Sequence, residues 1–358
     1  MMRRLKSACA LSAFCLLAAP AMALDGWHLQ DTVKIPGKGS AWDYLALDGT
    51  HNHLFIGHRK EGLQVFDLAT KTVVKTIAGT ESASSNGATL APEFDLGISN
   101  NENGTIIPFK LSTLEAGEPI KLGEELDTSH YDPASKRIVV NMASGADGTD
   151  LVVLEAPSLK QVGIIKVPTK KPEHAEADGA GNFYLAARDT EMVYRLDTKS
   201  LAVTASWPTP GCGQTNSVAL DAANKRLMLG CRGNASTKPS FAVMNVETGA
   251  IVFSAEVGGG NDGVAFDAQL KRIFLTNGVN AVMNIFEQKD ADHYAQVEAL
   301  GTQAGVRSLA LDPKTKTIYS VTAEGTADYS KKITTSVSPY YANTFFPDTF
   351  AVLTYGKK

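Results

Sequence analysis

Beyond its N-terminal stretch, this 358-residue chain has no long apolar run. Nothing there approaches the roughly 20 apolar residues that a transmembrane helix needs, so no membrane span is expected. Cysteine is scarce. Of four, Cys9 and Cys15 fall in the N-terminal stretch, leaving Cys212 and Cys231; without the C-x-x-C spacing that tunes thiol acidity, redox chemistry is disfavoured. Excess positive charge is also missing. With 34 basic against 38 acidic residues the formal net charge is −4, which removes the electrostatic footprint of a phosphate-backbone binder and makes nucleic acid a poor partner. Several catalytic signatures are absent too: there is no G-x-S-x-G nucleophile elbow, no H-E-x-x-H zinc spacing, and no H-x-H spacing at His130 or His174. Residues 258–263 (GGGNDG) enter a strand rather than a phosphate-binding helix, and 147–150 (DGTD) is too short for a calcium loop.

The N-terminal stretch has the three parts of a secretory signal. Arg3, Arg4 and Lys6 form the basic start, Ala8 to Ala19 the apolar middle, and Ala21, Met22 and Ala23 the cleavage site. A signal peptide over residues 1–23 and a single mature domain over 24–358 are expected. No Cys follows the cleavage site, so no lipid anchor is expected. The short, Arg-led signal points to the periplasm, with simple secretion as the alternative. In an oxidising compartment an even pair of cysteines reads as a disulfide, Cys212 to Cys231. Closing a loop of about twenty residues would contribute about 3 kcal/mol.

A repeat runs through the mature chain. It is clearest at 44–48 (YLALD), 217–221 (SVALD), 263–267 (GVAFD) and 308–312 (SLALD), with weaker copies at 128–132 (TSHYD), 174–178 (HAEAD) and 88–92 (ATLAP). Successive copies are about 40 to 46 residues apart, the spacing of a four-stranded propeller blade. A turn follows each copy and leads into an apolar strand, as at 136–140 (KRIVV), 225–229 (KRLML), 271–275 (KRIFL) and 316–320 (KTIYS), which implies a hairpin. Third and fourth strands follow. The chain is therefore expected to be all-β: a seven-bladed β-propeller of four-stranded antiparallel blades. Residues 27–36 (WHLQDTVKIP) resemble the fourth strands of other units, such as 161–168 (QVGIIKVP), yet no earlier strands precede them. They are expected to complete the last blade, removing exposed sheet edges. The irregular segment 325–348, with Tyr329, Tyr340, Tyr341, Phe345 and Phe346, is either a functional loop or one packed on a neighbouring blade.

These repeats, with Ile273–Asn277 (IFLTN) close to a Tyr-Val-Thr-Asn core, resemble the YVTN/YncE-like β-propeller family over essentially the whole mature chain. The resemblance implies the fold and an exported protein. It does not select an activity, since related propellers serve as binding modules, lactonases, lyases and haem-carrying enzymes, and sites are grafted on folds.

Propeller ligands gather at the channel mouth. The residue five before each repeat's Asp gives a ring of Asp43, Gly87, Asp127, Glu173, Asn216, Asp262 and Arg307. Crowded carboxylates raise one another's pKa unless a cation intervenes. Either Arg307 is that counter-ion or a divalent cation or cationic ligand completes the site, with Ca²⁺ or Mg²⁺ favoured by hard oxygen ligands; alternatively these side chains only cap turns. Two residues before the repeat's Asp, small residues give way to His130 and Glu176, with His174 on the same strand face as Glu176. This cluster would suit a transition metal or an acid/base pair, and a hydrogen-bonded His–Glu pair is the plainer expectation. The main reading is a monomeric, periplasmic ligand-binding or protein-interaction module whose partner is a small polar molecule, a divalent ion or a periplasmic protein. The alternative is a metal-dependent hydrolase of the lactonase type using the same carboxylates. The sequence does not decide whether a reaction is catalysed.

Overall fold

The computed structural model describes residues 26–35, 37, 41–142, 148–326, 328, 330 and 344–357. The expected signal peptide, and Tyr329, Tyr340 and Tyr341 of the irregular segment, lie outside the described residues. Seven four-stranded antiparallel sheets follow one another around a ring. The chain is a seven-bladed β-propeller.

The innermost strands of blades 1 to 7 are Leu45–Asp48, Ser85–Ala91, Leu126–Asp132, Pro172–Ala177, Thr215–Asp221, Asn261–Asp267 and Ala310–Leu311. In six blades the repeat's Asp ends or follows the inner strand and turns the chain. Asp48 Oδ1 accepts from Thr50 N at 2.9 Å, Asp267 Oδ1 from Gln269 N at 2.9 Å, and Asp312 Oδ1 from Lys314 N at 2.8 Å, the Asx-turn geometry that makes Asp a turn former. Blade 2 turns differently, through a short 3₁₀ segment at Pro92–Phe94. Its last paired inner residue is Ala91, opposite Leu96.

The apolar runs of the second and third strands are buried on both faces, because each blade is sandwiched between two others. Seven apolar clusters result among the described residues, one at each blade–blade junction. For example, Val139, Leu151 and Val153 of blade 3 meet Phe183 and Leu185 of blade 4, and Phe274 and Ile285 of blade 6 meet Ile318 and Leu353 of blade 7. No helix among the described residues is long and apolar enough to cross a membrane.

Ring closure follows the expected route. His28–Lys34 lies antiparallel to Ala351–Gly356 as the outer strand of blade 7, with Val33 opposite Val352 and Lys34 opposite Ala351. Trp27 is 4% exposed and packs edge-on to Phe274 of blade 6, ring centroids 4.8 Å apart. At the described ends of the irregular segment, Gly325–Thr326 pairs with Thr344–Phe345. Phe345 packs on Trp42 at 5.0 Å. Since Trp27 anchors the closing strand, Trp27→Ala is expected to lower unfolding stability by about 3–5 kcal/mol. Urea denaturation checks this; an unchanged midpoint would mean that the closing strand is held without it.

Candidate functional site at the central channel

The pairing register breaks near the start of the inner strands, between Ser85 and Gly87, Leu126 and Ser129, Pro172 and Ala175, Thr215 and Ser217, and Asn261 and Gly263. Such breaks re-aim side chains. Asp127, Glu173, Asn216 and Asp262 occupy these irregular positions, and Asp43 and Arg307 join them at one mouth of the channel. In blade 2 the equivalent residue is Asn86 rather than Gly87, because the inner strand ends at Ala91 and the count of five starts there. Gly87 has a different task. At φ +156° it makes room for Tyr44, whose Cβ would lie 2.9 Å from a Cβ placed on the glycine.

The mouth carboxylates are buried, with Asp43 and Asp262 each 6% exposed and Glu173 3%. Their counter-ions include four residues beyond the expected Arg307. Arg59, which follows the second strand of blade 1, contacts Asp43 and Asn86 and reaches Glu102 at 2.7 Å. Lys171 Nζ lies 3.0 Å from Asp127, and Arg188 lies 2.9 Å from Glu173. Arg232 contacts Asp262, whose other oxygen lies 3.3 Å from Arg307 Nε. Asn216 Nδ2 donates to Asp262 at 2.8 Å, while its Oδ1 has no hydrogen-bond partner among the described residues. Arg59, Arg188 and Arg232 each come one or two residues after a second strand, in the triplets GHR, AAR and GCR. That shared placement is the signal that could have found them.

Together these groups enclose a cavity of about 240 Å³, lined by five basic side chains (Arg59, Lys171, Arg188, Arg232, Arg307) and six acidic ones (Asp43, Glu102, Glu125, Asp127, Glu173, Asp262). Burial lifts Asp43 to about 7, offset only in part by Arg59 and Arg307. Burial and then Asp127 lift Glu173 to about 7 as well, against the pull of Arg188. For Asp262, burial also opposes ionisation, but Arg232 and Arg307 outweigh it and hold its carboxyl below the ordinary value. Cys212 and Cys231 lie at disulfide distance, Cα atoms 4.8 Å apart. The pair sits beside this wall, since Arg232 follows Cys231 directly.

One step deeper, Tyr44 reaches across toward His174, their rings near parallel with centroids 6.4 Å apart. Burial, and then Asp127, Glu173, Asp262 and Asp43, push its hydroxyl well above the ordinary tyrosine value. Tyr44 lines the mouth cavity and also a second cavity of about 500 Å³ that holds His130, His174 and Glu176. These three residues are brought together, yet the expected His–Glu hydrogen bond is not formed among the described residues. Each histidine instead serves the next blade's backbone: His174 Nδ1 lies 3.0 Å from Val218 O and 3.4 Å from Val218 N, and His130 Nε2 accepts from Ala175 N at 3.1 Å. Burial depresses both imidazoles, His130 strongly and His174 to about 4, so both are neutral at pH 7.

No group of three or more His, Cys, Asp or Glu residues among those described is placed to hold a metal ion. At the mouth Asp43, Asp127, Glu173 and Asp262 each already face a guanidinium or ammonium. The donors as arranged fit a charge-paired network and not a divalent-cation site.

No family model matches the chain, and no curated protein does. The fold is widespread: 1799 chains of solved structures match it. One, from a structure titled "Crystal Structure of Mitotic Checkpoint Complex", aligns with a TM-score of 0.70 at 14% identity, covering 87% of this chain and 95% of that chain. At that identity the likeness establishes the fold alone.

Glu176 supplies a test of the deeper cavity. Burial raises it from 4.5 to about 7. The folded state therefore holds this proton more tightly than the unfolded state. The resulting stability is present below the unfolded value and lost as pH rises to about 7, above which the buried carboxylate costs on the order of 3 kcal/mol. Glu176→Gln is expected to stabilise the protein at pH 8 and to have little effect at pH 4.5, measured by urea unfolding at both values. Equal effects at the two pH values would show that the carboxyl is not desolvated.

Proposed function

We propose that this chain is an exported, YVTN/YncE-like propeller that acts as a binding module, holding at its channel mouth a small polar molecule with both a cationic and an anionic group. The observation that carries this reading is the interleaving of five basic and six acidic side chains around one small cavity. A buried charge stripped of its partner is costly. A ligand of one sign would leave part of the network unpaired, whereas a zwitterion can exchange into it, presenting an ammonium to Asp127 and Glu173 and a carboxylate to Arg188 and Arg232. The signal-like residues 1–23 support export, and the repeat cores at 263–267 and 273–277 support the kinship. The fold itself is consistent with an interaction module.

Calorimetry with a panel of amino acids and dipeptides tests this reading. Saturable binding is expected at one site per chain, weakened at least tenfold by Arg188→Gln. Absence of binding by every zwitterion would sink it, and lactone opening lost on treatment with EDTA would favour the hydrolase alternative. Because Asp43 and Glu173 take up protons near 7, lowering the pH from 8 to 6 removes up to two negative charges from the mouth. A dicarboxylate such as succinate is therefore expected to compete better at pH 6 than at pH 8.

A further inference from the structure

The second cavity has a chemistry opposite to that of the mouth. Neither Lys nor Arg lines it. Of its three acidic residues, Asp132 and Asp178 already accept turn N–H groups: Asp132 Oδ1 from Ala134 N at 3.2 Å, and Asp178 Oδ1 from Ala180 N at 2.8 Å. Glu176 has no hydrogen-bond or ion-pair partner among the described residues. Asn100, 3% exposed, also lines the cavity, and its Oδ1 is without a partner among the described residues. Of its two contacts at Nδ1, that to Val218 O is the shorter, 3.0 Å against 3.4 Å to Val218 N, and an oxygen that can only accept places the His174 proton on Nδ1, which leaves Nε2 as an acceptor. The chamber thus holds three acceptors, with apolar surface from Leu45, Leu90 and Ala177. Exposed Pro133 and Gly179 line its outer side.

We propose that this chamber is a second binding site, for a small organic cation: a primary ammonium on an apolar body. The ammonium offers the three donors that Glu176, Asn100 and His174 lack, its charge meets the one unpaired carboxylate, and the Tyr44 ring offers a face to the cation. An anion would meet Glu176 with no basic residue to offset it. The volume of about 500 Å³ lies within the range of small-molecule pockets. This site is independent of the mouth and stands whether or not a zwitterion binds there.

Benzylamine, with benzyl alcohol as its uncharged counterpart, is the probe. Calorimetry on the full mature chain at pH 8 is expected to show one benzylamine per chain and at least tenfold weaker binding of the alcohol. Glu176→Gln is expected to cost the amine at least tenfold, whereas Glu176→Asp, which keeps the charge, should stay within about fivefold. Asp127→Asn at the mouth should change it less than twofold. Thermal melts of each variant confirm folding. From pH 8 to pH 6 the amine should weaken at least threefold as Glu176 takes up a proton; of the other groups lining the chamber, His130 and His174 stay neutral across this window and Tyr44 and Tyr131 stay protonated, while Asp132 and Asp178 accept turn N–H groups. Absence of benzylamine binding, equal binding of amine and alcohol, undiminished binding by folded Glu176→Gln, or loss on Asp127→Asn would each overturn the proposal.

Discussion

Everything in this molecule depends on one antiparallel pairing, between His28–Lys34 and Ala351–Gly356. An open row of seven blades would leave two sheet edges unpaired and the faces of its terminal blades uncovered. Once the first strand joins the last blade, every blade has a neighbour on both sides and the inner strands must converge on an axis. That convergence, and nothing local to any one strand, turns seven separated sequence positions into a ring. Side chains on the inner strands then tie the ring from within: Asn86 Nδ2 donates to Leu126 O at 2.6 Å, Thr89 Oγ1 to Ser129 O at 2.6 Å, and Ser308 Oγ to Asp43 O at 2.7 Å.

Convergence creates an electrostatic difficulty, because it concentrates Asp43, Asp127, Glu173 and Asp262 where little water remains. The chain meets it with basic residues set mainly just beyond the second strands, which at the mouth end run alongside the inner ones. Two carboxylates facing one guanidinium are not equivalent: Asp262, flanked by Arg232 and Arg307, stays ionised below the ordinary range, while Asp43 shares Arg59 with Glu102 and Asn86 and is lifted to about 7. The mouth therefore has a fixed anionic point and two groups whose charge follows pH near neutrality.

Much of the architecture was legible because the repeat's Asp performs a local task, turning the chain through its own side chain, which leaves a mark at every blade that uses it. Where blade 2 turns through Pro92 instead, the mark is missing and the ring position was displaced by one residue, from Asn86 to Gly87. The basic partners were illegible for a different reason. Arg59, Arg188 and Arg232 share a place just beyond the second strands of three blades, but that placement gains meaning only when the ring closes. Strand alternation correctly put His174 and Glu176 on one face, but it could not show that each imidazole would choose a backbone group of the following blade. Nor does Lys announce a left-handed turn residue, yet Lys136, Lys225, Lys271 and Lys316 all adopt φ between 51° and 62°.

Tyr44 turns one channel into two environments. It occupies the position where other blades place Gly87, Thr128, Ser217, Gly263 or Ser308, and only His174 among the other equivalents is also large. A phenol bridging toward that histidine separates a tier where charges are densely paired from a tier with no basic residue. Two residues further along, Ala46, Ala219, Ala265 and Ala310 leave space that Thr89, His130 and Glu176 border from the other blades, so the deeper chamber lies to one side of the axis. A sevenfold scaffold thereby acquires an asymmetric interior without any change to its blades. Substitutions at the inner-strand positions alter what the channel contains, while most of the side chains in the seven junction clusters come from the second and third strands of each blade.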